Sequence, residues 1–224
     1  MIEKYIPHIL STDPLTRECA CNYGSCDRRF RQNDEIRSRI QIIRRAFPDT
    51  MTRQNIIEFF RRAGRDADIT KFLVAMIWGY GSDEGGRADN RGPWRVEQMT
   101  SNLEHLREVL HEAGRRIASG DLEGAYRCFT VGRCGPSFRS KYFYFVGKSL
   151  AMERYPLIFD NRVAAGLAQI GGLNNDLLAM ISIQTKGTAS AYVQYTNLLH
   201  EWAAQIECEA DQIELFLFDL ADNS

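Results

Sequence analysis

The stretch from Ser137 to Glu153 limits the fold of this chain more than any other. On a helical wheel Phe138, Lys141 and Phe145 share one face, while Phe143, Val146 and Leu150 lie opposite, with Tyr142 and Tyr144 between. Five of the eight residues from Phe138 to Phe145 are aromatic. A helix apolar nearly all round is a buried helix. The chain therefore needs a sizeable core, and 224 residues are enough for one large domain or two lobes around it.

Elsewhere helical periodicity dominates and strand alternation is nearly absent, which predicts an all-α protein. The pattern places helices at Asp34–Phe47, Thr52–Ala63, Ile69–Trp78, Val96–Ala118, Leu122–Thr130, Ser137–Glu153, Asn161–Ile170, Asn175–Ile181 and Ala189–Ala221. The last should break near Glu209–Asp211, where acids gather. Asn33 and the Ser119–Asp121 turn supply helix starts. Ser11–Gln32, Gly79–Pro93 and Thr185–Ser190 read as loops.

Formal net charge is −1, so nucleic-acid affinity has to come from a local patch. The N-terminal "MIEKYIPHIL" lacks the basic start and apolar run of a secretory signal, and no stretch is long and apolar enough to span a bilayer. The expectation is a cytoplasmic protein with no membrane partner and six reduced cysteines.

Lys141 stands out against its aromatic surroundings. Such a lysine either snorkels to water, pairs with an acid, or sits at the end of a cavity as an amine nucleophile. Pro156 ends the helix. The short apolar return "PLIFD" then closes on Asp160, which stands where an N-cap of the Asn161 helix belongs.

The segment "GPSFRSKYFYFVGKSLAMERYPLIFDNRVAAGL" resembles the helix-hairpin-helix DNA glycosylases of the 8-oxoguanine type. In that family a catalytic lysine opens the second hairpin helix, and a catalytic aspartate follows nineteen residues later, the separation of Lys141 and Asp160. The match is good over Leu122–Ile170, and it implies a two-lobed helical fold for a single unit spanning residues 1–224. One departure is plain. The usual hairpin glycines, four and two residues before the lysine, are Ser137 and Arg139 here, while Gly132 and Gly135 lie upstream.

The resemblance implies a glycosylase with β-lyase activity on a damaged or modified purine such as 8-oxoguanine. Its partner would be double-stranded DNA with the base flipped out, and repair or defence proteins could act alongside. Lys141 would attack C1′ and Asp160 would stabilise the charge that develops, with no metal and no organic cofactor. Gly135, Ser137, Arg133, Arg139 and Arg162 are the DNA-contact candidates, around a helix N-terminus suited to phosphate. Trp78, Phe138 and Trp202 are candidates for a base pocket, with Trp94 a rival. Arg61, Arg62, Arg65, Arg87, Arg91 and Arg95 could extend a basic face, although Asp83, Glu84, Asp89, Glu97 and Glu104 interrupt it.

Cys19, Cys21 and Cys26 lie within eight residues, but C-x-C-x4-C is not a standard zinc spacing, and free thiols are the expectation. His8, His105, His111 and His200 form no ligand pair at helical spacing. Two other functions remain open: a DNA- or protein-binding module of the same fold without turnover, and a glycosylase for a modified phage base in a defence system.

Overall fold

The computed structural model describes residues 2–21, 23–64, 68–80, 92–171 and 188–221. The fold is all-α, as expected. A short 3-10 turn (Glu3–Tyr5) leads into α1 (Ile6–Leu10), α2 (Tyr23–Arg29), α3 (Asp34–Ala46), α4 (Arg53–Arg62), α5 (Asp68–Tyr80) and α6 (Gly92–Met99). Then follow α7 (Leu103–Ala118), α8 (Leu122–Cys128), α9 (Pro136–Ser149), α10 (Asn161–Gly171), α11 (Ala189–Ile206) and α12 (Ala210–Leu220). Strands β1 (Glu18–Ala20) and β2 (Thr50–Thr52) form a small antiparallel ladder, with Cys19 opposite Met51.

The aromatic helix α9 is central. Its ring at Phe145 meets Phe60 of α4 (5.7 Å) and Trp78 of α5 (5.3 Å). Tyr142 meets Phe72 of α5 at 5.9 Å, and Phe143 meets Phe129 beyond α8 at 5.2 Å. Neighbours on several sides explain why α9 has no polar stripe. On the other flank α10 crosses α12 so closely that a Cβ on Gly166 would lie 2.1 Å from the Leu217 carbonyl oxygen.

Several boundaries differ from the sequence reading. Ser11–Gln32 is not a plain loop, since it holds β1 and α2. The stretch Val96–Ala118 is two helices. Thr100 turns its hydroxyl onto the Val96 carbonyl (2.9 Å), and Asn102 caps α7 by accepting from the His105 amide (3.0 Å). Helix α9 stops at Ser149, because Ala151 turns left-handed (φ 53°), and Leu150 is therefore exposed rather than packed. The expected break in the last helix falls at Glu207–Glu209. Glu207 is left-handed (φ 56°), and Glu209 with Gln212 forms a capping box on α12. The helix read at 175–181 lies outside the described residues, as do most of the loop at 79–93 and half of that at 185–190.

Candidate active site

Lys141 sits one turn after Ser137 on the first half of α9, whose start is set by Gly135 as N-cap and Pro136 as first residue. The Lys141 ammonium donates to Ser137 Oγ at 2.8 Å and to Asp160 Oδ2 at 3.4 Å. It also lies 5.5 Å from the Phe138 ring centre. Its side chain is 9% exposed, so it does not snorkel to the surface. Opposite, Gly79 of α5 gives it room, because a Cβ there would stand 2.9 Å from Lys141 Cδ.

Asp160 reaches this place through a pinned return. Residues 156–159 are buried, and their backbone groups are held by three side chains from two helices. Ser140 Oγ accepts from the Phe159 amide (3.0 Å), Tyr192 donates to the Leu157 carbonyl (2.7 Å), and Tyr195 donates to the Ile158 carbonyl (2.6 Å). The two carboxylate oxygens of Asp160 then divide their roles. Oδ1 accepts from the amides of Arg162 (3.1 Å) and Val163 (3.2 Å), capping α10, while Oδ2 faces the lysine. Capping and pairing, alternatives in the sequence, coexist here on different atoms.

Both residues line a cavity of about 290 Å³, close to the small end of ligand sites, which run from ~300 Å³ upward. Trp78, Cys19, Ile158 and Phe218 contribute to its wall, with Arg53 and Glu214. Arg53 donates twice to the Glu214 carboxylate (2.9 and 3.2 Å) and lies over Trp78 and Tyr144. Burial pushes the Glu214 carboxyl up, against the pull of the Arg53 guanidinium. The Cys19 thiol donates to the Trp78 carbonyl at 3.1 Å. The arrangement offers an amine beside a carboxylate at the wall of a room lined by aromatic and charged groups, which suits attack on an electrophilic carbon and stabilisation of the cation that results.

A second, more open cleft adjoins the cavity and shares Ser137, Asp160 and Arg162 with it. Arg95, Arg133, Gly135, Pro136, Phe138 and Asn161 complete its lining. Of the DNA-contact candidates, Arg133, Gly135, Ser137 and Arg162 therefore come together. Arg133 holds a left-handed backbone (φ 63°), a conformation that costs an L-residue ~1 kcal/mol. Arg139 does not join them. It donates to the Tyr126 carbonyl (3.2 Å) and stacks over the Tyr126 ring at 4.3 Å, because its place on α9 faces α8.

The pocket candidates separate likewise. Trp78 lines the cavity. Phe138 stacks on Tyr80 at 4.3 Å and lines the outer cleft instead. Trp202 packs against the core and lines neither space, and Trp94 is exposed on α6. Arg61 and Arg62 are engaged at the surface with the Lys148 carbonyl and Glu58; Arg65, Arg87 and Arg91 lie outside the described residues. Cys19 is on β1, Cys21 just beyond it and Cys26 on α2, and none of the three is in a disulfide. Among the described residues no group of three or more His, Cys, Asp or Glu side chains is placed to hold a metal ion, and no helix is long and apolar enough to cross a membrane.

The sequence reading missed Ser140, Tyr192 and Tyr195, which place the return, and the pair Arg53–Glu214, whose members are 161 residues apart and leave no local spacing to read. Gly79 reads in the sequence only as the first residue of a loop, whereas it lies within α5. No curated protein and no solved structure matches the chain. A family model described as "Putative 8-oxoguanine DNA glycosylase OGG-like protein" matches residues 23–218, a span that includes α9, the return, α10 and every cavity-lining residue beyond β1. The chain thus belongs to that OGG-like family.

Proposed function

We propose that the protein is a DNA glycosylase with β-lyase activity that removes a damaged or modified purine of the 8-oxoguanine kind from double-stranded DNA. The family supports a DNA glycosylase-like function. The observation that carries the finer reading is the Lys141–Asp160 contact at the wall of a cavity that opens beside an arginine-lined cleft.

The target nucleotide leaves the stack at a cost of a few kcal/mol, ~2–4, and its base enters the cavity. Arg95, Arg133 and Arg162 hold the backbone in the outer cleft. Lys141 gives up one proton, with Asp160 Oδ2 as the nearby acceptor. Its nitrogen then forms a bond to C1′ as the glycosidic C–N bond breaks, and the departing base takes up a proton. Asp160, ionised again, stabilises positive charge on the sugar. The ring-opened adduct is a Schiff base, and loss of a C2′ proton expels the 3′ phosphate, nicking the strand.

Borohydride trapping tests this reading. Duplexes carrying 8-oxoguanine or an abasic site are mixed with the protein and borohydride, and covalent adducts are resolved on a denaturing gel. The expected result is an adduct that is lost in Lys141→Ala and reduced at least ~100-fold in Asp160→Asn. Wild-type protein that binds duplex yet gives no adduct with either DNA would return the chain to the binding-module reading. The inward turn of Arg139 is the feature that favours that alternative, since it removes one cation from the DNA side.

A further inference from the structure

The shortest contact of the Lys141 amine is with Ser137, not with Asp160. Ser137 lies one helical turn before the lysine on the same face of α9, and it lines both the inner cavity and the outer cleft. Its own carbonyl accepts from Ser140 Oγ at 3.1 Å, and Ser140 also holds the Phe159 amide just before Asp160. Two serines, Ser137 and Ser140, thus link the lysine and the helix start to the return that delivers the acid.

An ammonium has three N–H donors. Here two of them have protein acceptors, Ser137 Oγ and Asp160 Oδ2, on separate segments. Transfer of one proton to Asp160 Oδ2 leaves an amine with two N–H bonds, and the contact with Ser137 Oγ then limits how the nitrogen can turn its lone pair toward the cavity. The contacts differ in kind. A carboxylate is an acceptor that favours the charged lysine, whereas a hydroxyl oxygen is neutral and accepts from an amine N–H as it does from an ammonium. With Asp160 alone, the neutral amine would be free to rotate about the Cε–Nζ bond.

We propose that Ser137 is a positioning residue for the Lys141 amine, which holds the nitrogen after deprotonation so that its lone pair faces the cavity. The assignment rests on the reading of Lys141 as nucleophile. It changes the role of Ser137 from a phosphate contact to a part of the lysine's setting. The two roles separate in kinetics, since a phosphate contact sets affinity and an amine contact sets the rate of bond formation.

The test is single-turnover trapping on abasic duplex with Ser137→Ala, Ser137→Thr and Lys141→Ala, alongside duplex affinity for each. Ser137→Ala is expected to slow adduct formation about tenfold with affinity within about twofold of wild type. Ser137→Thr, which keeps the hydroxyl, should recover most of that rate. In parallel, exchange of the Lys141 ζ protons with water, followed by 15N NMR on free protein, should accelerate in Ser137→Ala. A Ser137→Ala protein that traps at the wild-type rate overturns the assignment while leaving the Lys141 reading intact. So does one that loses affinity but not rate. If wild type forms no adduct, the Lys141 reading fails and takes this assignment with it. A misfolded Ser137→Ala would show in its amide spectrum, and the comparison then passes to Ser137→Val, which fills the volume of threonine without its hydroxyl. A Val variant as fast as Thr overturns the proposal.

Discussion

At position 79 little more than a hydrogen fits. An added Cβ would meet Lys141 Cδ at 2.9 Å and Phe138 Cε1 at 3.1 Å, so Gly79→Ala presses directly on the stem of the lysine. A lysine stem pushed from this side shifts its amine relative to Ser137 and Asp160. Displacing a reacting group by a fraction of an ångström is enough to cost orders of magnitude in rate. Gly79→Ala should therefore lower the trapping rate by ~10–100-fold, while helical content and melting temperature stay close to wild type, since alanine is the better helix former. A rate that does not change would mean that Lys141 has slack in its seat. Lys141 itself was legible in the sequence because a charge inside an aromatic helix conflicts with its surroundings. Ser137 was legible as a departure from a glycine and as a phosphate-contact candidate, but its hydroxyl contact with the lysine could not be foreseen without the lysine's rotamer.

Among the elements, α4 and α12 are joined across the cavity floor by Arg53 and Glu214, both almost fully buried. Removing one member strands a charge in a low-dielectric site, which costs ~3–5 kcal/mol, whereas replacing both with apolar residues of similar volume is far less costly. Arg53→Met should accordingly lose most of that stability in urea denaturation, and Arg53→Met with Glu214→Leu should regain a large part of it. If the double variant is no better than the single one, packing over Trp78 and Tyr144 rather than charge is what Arg53 supplies. Helices with a strong stripe, such as α3 and α7, were readable from periodicity, and so was the capping of α3 by Asn33, whereas Asn102, the cap of α7, fell inside the single helix read there. The boundary between α6 and α7 was not, because Thr100 and Ser101 interrupt an otherwise continuous pattern with side chains that either a helix or a turn accepts. Strand β1 escaped for a different reason. Three residues are too few for alternation to register, and the strand exists through its pairing with β2, some thirty positions away.

For the molecule as a whole, a net charge of −1 leaves no long-range attraction to a polyanion, so binding to DNA has to rest on the few cations of the outer cleft. With Arg95, Arg133 and Arg162 each neutralising one phosphate, the logarithm of the affinity should fall with the logarithm of salt concentration with a slope of about −3. Arg133→Gln should reduce that slope by about one. A slope of −6 or steeper would show that DNA reaches cations well outside this cleft. The divided carboxylate of Asp160 also bears on how descendants of such a protein would decay. Position 160 serves the helix whatever its part in the proposed reaction, so a lineage released from that chemistry still gains from an aspartate, asparagine or serine there. Position 141 caps no helix, and burial makes an idle ammonium a burden. Drift should therefore strike the lysine first, and among relatives that have lost turnover, the residue at 141 is the one that betrays it.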